Sequence, residues 1–278
     1  MRIDLHVHIK RHQSLAELRR ILRKRNLGGI AVTNFHNVSF AYFIRERLPE
    51  FLIIIGQEIE SSAGHILALG IHALIPDRLA PQETIHRIHA QGGFAVLPHP
   101  YLLRNSIFYH AHSPRLAFDA IEVFNWRCGP WLWPNSVAAL AFRHVQLPKI
   151  ATTDSKEAHT IGRSCIELAA QSEAEVFAAV RAGNFIRHEE TIYPSWTCAK
   201  DYFSKLFLPH RSLVCFHCHD PLHFRPYPRK RACMQCGYLE TMFVTCAHGH
   251  YICSCCRTQN AFKEEAFMRF RLKRGVEV

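Results

Sequence analysis

The chain has 278 residues, 48% of them hydrophobic, and a formal net charge of +11. That length allows one good-sized core with room for a smaller second unit, so two domains are expected. The charged, His-rich opening MRIDLHVHIKRH is unlike a secretory leader and no apolar run approaches membrane-span length, so a soluble, cytosolic protein without membrane contact is expected. The positive balance favours an anionic partner, either a phosphorylated metabolite or a nucleic acid.

From residue 1 to about 190, short β-branched or apolar runs alternate with amphipathic stretches. IDLHVH at 3–8, LGGIAVTN at 27–34, FLIIIGQEI at 51–59, HILALGI at 65–71, GGFAVLPHP at 92–100, AIEVFN at 120–125 and LPKIATTD at 147–154 read as strands. SLAELRRILRKR at 14–25, PQETIHRIHAQ at 81–91, PNSVAALAFRHV at 134–145 and SEAEVFAAVRAG at 172–183 have helical spacing, with Ser14, Asn135 and Ser172 as expected caps. Repeated strand-then-helix order predicts a parallel α/β barrel or a doubly wound sheet. Polar residues gather where strands end, the edge at which such folds place their chemistry. Between Glu189 and Arg211 the rhythm breaks at Pro194 and Pro209, and AKDYFSKLF at 199–207 predicts a connecting helix. The expected division is a first domain over 1–190, a linker over 191–211 and a second unit over 212–278.

His6 and His8 stand two apart on a strand, so both imidazoles leave the same face and can hold one cation. Alone that spacing is weak. It gains weight because other strand ends offer Glu58, His65, His99, Glu122 and Asp154.

The ordered series DLHVH, TNFHN, GQEI, HILALG, AVLPHP, IEVFN and TTDSKEAHTIG resembles the PHP (polymerase and histidinol phosphatase) family over residues 1 to about 190. The resemblance implies a distorted (β/α)7 barrel with two or three divalent ions (manganese, zinc or iron) at its strand ends, and metal-dependent hydrolysis of phosphate esters. It also implies that His6, His8, Glu58 and Asp154 surround one ion and Glu58, His65 and His99 a second, with Glu58 bridging. Glu122 is either a ligand or a partner that orients a ligand histidine.

Two positions depart from the family pattern. Thr33-Asn34-Phe35 stands where T-D-H is usual, and Lys156 stands where S-D-x-H has its histidine, with Gly162 at the expected distance. Both missing histidines belong to a third ion, so a dinuclear site is expected in which Lys156 offers its charge to a substrate phosphate. The rival reading has His36, His159 and His12 rebuild that third site, and in a plainer one Lys156 makes a local salt bridge. Lys156, His159 and Arg163 are candidates to assist the leaving group beside Asp154, and Arg104 is a further phosphate contact.

Eight of the eleven cysteines lie between Cys215 and Cys256. Cys215-x2-Cys218, Cys233-x2-Cys236, Cys246 with His248 or His250, and Cys253-x2-Cys256 supply ligands for two tetrahedral zinc ions, with an iron–sulfur cluster as the chemical rival. The expected role of this zinc-finger-like module is structural; in the alternative, RPYPRKR at 225–231 is a basic loop for nucleic acid or a protein, and FKEEAFMRFRLKRG at 262–275 reads as a basic amphipathic helix. The favoured function is hydrolysis of a phosphorylated small molecule, nucleotide or oligonucleotide. The competing one is a non-catalytic binding protein that retains two ions.

Overall fold

A computed structural model describes residues 1–10, 13–101, 117–128, 133–191, 210–214, 218, 221–234, 237 and 239–251. His12, Arg104, Cys215, Cys236, Cys253, Cys256, the stretch 199–207 and the stretch 262–275 lie outside the described residues. The chain divides into two compact units, the first holding Met1–Thr191 and the second holding the described residues from 210 to 251.

The first unit is a mixed sheet of nine strands in the order β7-β6-β5-β4-β3-β2-β1-β8-β9. β1 is Arg2–Val7, β2 Leu27–Val32, β3 Leu52–Ser61, β4 Gly64–Leu69, β5 Phe94–Leu97, β6 Ala120–Asn125, β7 Lys149–Thr152, β8 Ser164–Glu167 and β9 Ile186–Glu189. Beyond the end of β7, a bridge between Val7 and Ser155 returns the sheet to β1 and nearly closes a barrel. Its helices are α1 Leu15–Lys24, α2 Ser39–Arg47, α3 Pro81–Ala90, α4 Trp133–Ala141 and α5 Glu173–Arg181.

Strand-then-helix order predicted parallel pairing, and it holds for β1–β2, β2–β3, β5–β6 and β6–β7. It fails at β8, which pairs antiparallel with β1 and β9, and at β4, which pairs antiparallel with both neighbours. At β4 the reason is local: Ser62 and Ala63 are all that separate β3 from β4, a connection long enough for a hairpin and too short for a crossover helix. Ser14 caps α1 by accepting from the Glu17 amide, and Ser172 caps α5 by accepting from the Glu175 amide. Asn135 does not cap α4, which begins two residues earlier; its amide side chain instead holds both backbone groups of Asn125 at the end of β6. Helix α2 was not anticipated from the sequence.

Apolar residues form two layers. Ile30, Val32, Ile53, Ile55 and Ile121 pack with residues of α1 to α4, whereas Ile3, Leu5, Ile54, Leu67, Phe94, Val96 and Ala120 pack with Val176, Phe177 and Val180 of α5. Phe94 and Ala120 open β5 and β6, so α5 covers the end at which parallel strands start, with Phe94 and Phe177 stacked at 4.9 Å. The opposite end is left for polar groups. Between β2 and β3 the backbones are so close that a Cβ on Gly29 would sit 2.4 Å from the Leu52 carbonyl oxygen. Gly29→Ala is therefore expected to lower stability by about 1–3 kcal/mol in urea unfolding, and an unchanged midpoint would contradict this packing.

Candidate metal centre

Strand polarity and the antiparallel β4 bring residues from six strands to one end of the barrel. His6 is in β1 with His8 just beyond it, Glu58 is in β3, His65 near the start of β4, Glu122 in β6, and His99 and Asp154 follow β5 and β7. All seven are buried or nearly so. His99 and Asp154 hold left-handed backbone, with φ of 25° and 50°. Non-glycine residues adopt that region at a cost, and it is concentrated where a side chain must be aimed.

His6, His8, Glu58 and Asp154 form one group of converging ligand atoms, and Glu58, His65 and His99 form another. In the first, His6 Nε2 lies 3.5 Å from Glu58 Oε2 and 3.6 Å from Asp154 Oδ1, while His8 Nε2 lies 3.0 and 3.4 Å from the same oxygens. Ligand atoms about 2.0–2.2 Å from a tetrahedral ion stand about 3.3–3.6 Å apart, so this spacing fits one cation. All four atoms are buried without a hydrogen-bond partner, a costly arrangement unless something else satisfies them. Glu58 turns its other oxygen, Oε1, to His65 Nδ1 at 2.6 Å and His99 Nε2 at 3.0 Å. One carboxylate thus faces both groups.

Electrostatics follow from this crowding. Burial opposes the charge on Glu58, but His65 and His6 hold its carboxyl well below the usual range. Burial likewise opposes the charge on Asp154, which Lys156, His6 and Arg127 nevertheless keep strongly ionised. His6 is pushed the other way: burial works against its proton, and Asp154, Glu122 and Glu58 raise its affinity well above the ordinary imidazole value.

Glu122 lies behind His6 and belongs to neither ligand group. His6 Nδ1 donates to Glu122 Oε1 at 3.0 Å, and Thr152 Oγ1 donates to the same oxygen. The His99 amide and Asn125 Nδ2 donate to Glu122 Oε2 at 2.6 and 2.8 Å. That pattern makes Nδ1 the donor toward Glu122 and turns Nε2 toward the first ligand group. Asp4, which sequence reasoning did not single out, accepts from the amides of His6, Thr153 and Gly162 and ties β1 to the loop carrying Asp154. Burial pushes its carboxyl up to about 6.

The two departures from the family pattern are neighbours in space. Phe35 stacks on His8 at 5.0 Å and meets His65 edge-on at 5.5 Å, and the Lys156 ammonium stands 5.3 Å above the Phe35 ring. Asn34 turns away, its amide side chain bonding both backbone groups of Ile9 at 2.8 Å. His36 Nδ1 lies 3.0 Å from Asp77 Oδ2, and His159 is exposed on the short 3-10 helix Ala158–Thr160. Neither joins a ligand group among the described residues. Arg163 is paired with Glu190 and lies over the Trp126 ring at 5.1 Å. Arg127, which the sequence analysis missed, places Nε 3.9 Å from Asp154 Oδ2. Its signal was available only as a cation just beyond IEVFN.

The second unit has a three-stranded antiparallel sheet of β10 His210–Val214, β11 Pro221–Ala232 and β12 Leu239–Cys246. The expected basic loop at 225–231 is part of strand β11, with Arg229, Lys230 and Arg231 exposed. Cys218, Cys246 and His250 converge as a third ligand group. His250, rather than the exposed His248, stands beside Cys246, whose sulfur accepts from the His250 amide at 3.3 Å. Cys233 is buried and its carbonyl accepts from Gly237, which has a φ of 72°. In the first unit the thiols of Cys128 and Cys165 are buried, Cys165 being pushed up to about 12, so neither is a ready ligand.

Solved structures share the architecture. A two-domain protein from Bacteroides vulgatus, containing a predicted PHP-like metal-dependent phosphoesterase, aligns with a TM-score of 0.54 at 13% identity, covering 90% of this chain and 87% of that one. PsfC from Pseudomonas syringae aligns with a TM-score of 0.54 at 15% identity, covering 74% and 96%. PfuEndoQ, a lesion-specific endonuclease from Pyrococcus furiosus, aligns with a TM-score of 0.50 at 12% identity, covering 78% and 67%. The fold of the first unit is therefore a PHP-type barrel. No family model matches the chain. Over 146 residues it is 33% identical to the uncharacterized protein MJ1587 of Methanocaldococcus jannaschii, covering 45% of this chain and 82% of that protein, and it belongs to the same family.

The hydrogen bonds around Glu122 predict the effect of removing its charge. Glu122→Gln should leave the fold intact and weaken divalent-metal affinity about 10–100-fold by calorimetry; undiminished affinity would assign Glu122 to structure alone.

Proposed function

We propose that this protein hydrolyses phosphate esters with two divalent cations, one held by His6, His8, Glu58 and Asp154 and the other by Glu58, His65 and His99. The observation that carries this reading is the set of four buried, unpartnered ligand atoms, spaced as a coordination shell and joined to a second group through Glu58. The likeness in fold to PHP-type phosphoesterases supports it. When bound, such cations supply Lewis acidity, acidifying water and taking up charge on phosphoryl oxygens.

The chain's own residues have separate tasks. Glu58 and Asp154 supply the negative charge that holds cations in a buried place. Glu122 orients His6, while Asp4 sets the loop that aims Asp154. Of the three candidates to assist a leaving oxygen, Lys156 stands nearest the ligand groups, 3.9 Å from Asp154 Oδ1, whereas Arg163 is engaged with Glu190 and His159 is exposed.

The substrate is a phosphorylated small molecule, nucleotide or oligonucleotide. As a second reading, the lesion-specific endonuclease among the fold relatives and the net charge of +11 favour a nucleic acid, whose internal linkages are phosphodiesters. In the second unit Cys218, Cys246 and His250 hold a structural zinc ion. Among the described residues no helix is long and apolar enough to cross a membrane.

The test starts from chelator-treated full-length protein assayed on phosphomonoesters and phosphodiesters. Hydrolysis should return with manganese, zinc or iron, and Asp154→Ala should abolish it while the circular dichroism spectrum stays native. Turnover that survives both treatments would sink the assignment. In the second unit, Cys246→Ser should cost about one tightly held zinc per chain by elemental analysis; unchanged zinc content would refute that site.

A further inference from the structure

Two cationic side chains beside the ligand groups have no part in the coordination just proposed. Lys156 Nζ and Arg127 Nε approach different oxygens of Asp154, each at 3.9 Å. That is close enough for attraction and too long for a hydrogen bond, so Asp154 does not use up their N–H donors. Their side chains are 35% and 28% exposed, so both can be reached from solvent, whereas Asp154 between them is buried.

Phe35 fixes their surroundings. Its ring covers His8 and His65 and carries the Lys156 ammonium on its face. An aromatic ring offers a cation only its π face and offers no oxygen, nitrogen or sulfur ligand, so Phe35 cannot help hold a metal there. It does hold an ammonium. The place is thus furnished for a negative group supplied from outside.

We infer that Lys156 and Arg127, set against Phe35, form an anion subsite that binds the third non-bridging oxygen of a terminal phosphate, so the preferred substrate is a phosphomonoester. This rests on the reading of the barrel as a metal-dependent phosphoesterase. A phosphomonoester has three non-bridging oxygens, so two can face the paired ligand groups while one remains for Lys156 and Arg127. A diester has only two. Its second ester arm would be turned toward the two cations and would desolvate them without pairing. Charge points the same way. Glu58, Asp154 and Glu122 neutralise most of the charge of two divalent ions, and Lys156 and Arg127 add to what is left, which favours a dianion over a monoanion.

The metal-loaded full-length protein, Lys156→Met and Arg127→Met are compared on p-nitrophenyl phosphate and bis(p-nitrophenyl) phosphate. The binding of inorganic phosphate is measured alongside by calorimetry, and metal content by elemental analysis. The native protein should prefer the monoester. Each substitution should lower monoester kcat/KM at least about tenfold more than diester kcat/KM, weaken phosphate binding about tenfold and leave metal content unchanged. Lys156→Arg, which keeps the charge, should retain most of the phosphate affinity. Equal losses on both esters, or unaltered phosphate affinity in both variants, would overturn the subsite. If no metal restores hydrolysis of either ester, the phosphoesterase reading fails; phosphate binding weakened by both substitutions would then still support an anion subsite, and unaltered binding would remove it too.

Discussion

Glu58 is the constraint around which the first unit is arranged. One buried carboxylate is surrounded by four imidazoles at 2.6–3.5 Å, those of His6, His8, His65 and His99. An ionised group at that depth is tolerated only when several partners converge on it. No single helix or hairpin could bring them together. A nearly closed barrel can, because its strand ends meet from different parts of the chain. The apolar plug contributed by α5 at the opposite end frees this end for polar side chains.

Much of this was legible in the sequence, and the reason is physical. A histidine or carboxylate set into or just after an apolar strand run stands out, so DLHVH, GQEI, LPHP and TTD each announce a polar residue in or just beyond a strand. Residues that act through others leave no such trace. Asp4 sits inside the same DLHVH run, but its role comes from the amides of Thr153 and Gly162, far away in the chain. Arg127 depends on the turn that follows β6. The expectation of parallel pairing failed at β4 because an apolar run reads the same in either direction; only the shortness of the link before it betrays the hairpin.

Phe35 and Lys156 were legible as departures, but their relation was not. In the structure the Lys156 ammonium stands 5.3 Å from the centre of the Phe35 ring, so residues from two different strand ends meet as a cation and an aromatic face. A bare aromatic ring among histidines and carboxylates would leave a weakly polar surface against strong charges. With an ammonium on its face the same ring becomes part of the electrostatic lining. Substituting either residue alone would therefore disturb a pair rather than a single side chain.

Between β1 and the segment after β7 the barrel wall is joined by an isolated bridge rather than by a paired strand ladder. That seam is held by the Val7–Ser155 bridge and by two backbone hydrogen bonds, from the His8 amide to Ser155 and from the Ser155 amide to His6. The first ligand group straddles this seam, with His6 and His8 on one side and Asp154 on the other. A cation bound there would serve as a rivet between β1 and the segment that follows the edge strand β7. It would tie together segments far apart in sequence, as a disulfide does, but by a bond that acid or a chelator can undo. Mechanical integrity and chemistry would then depend on the same ion.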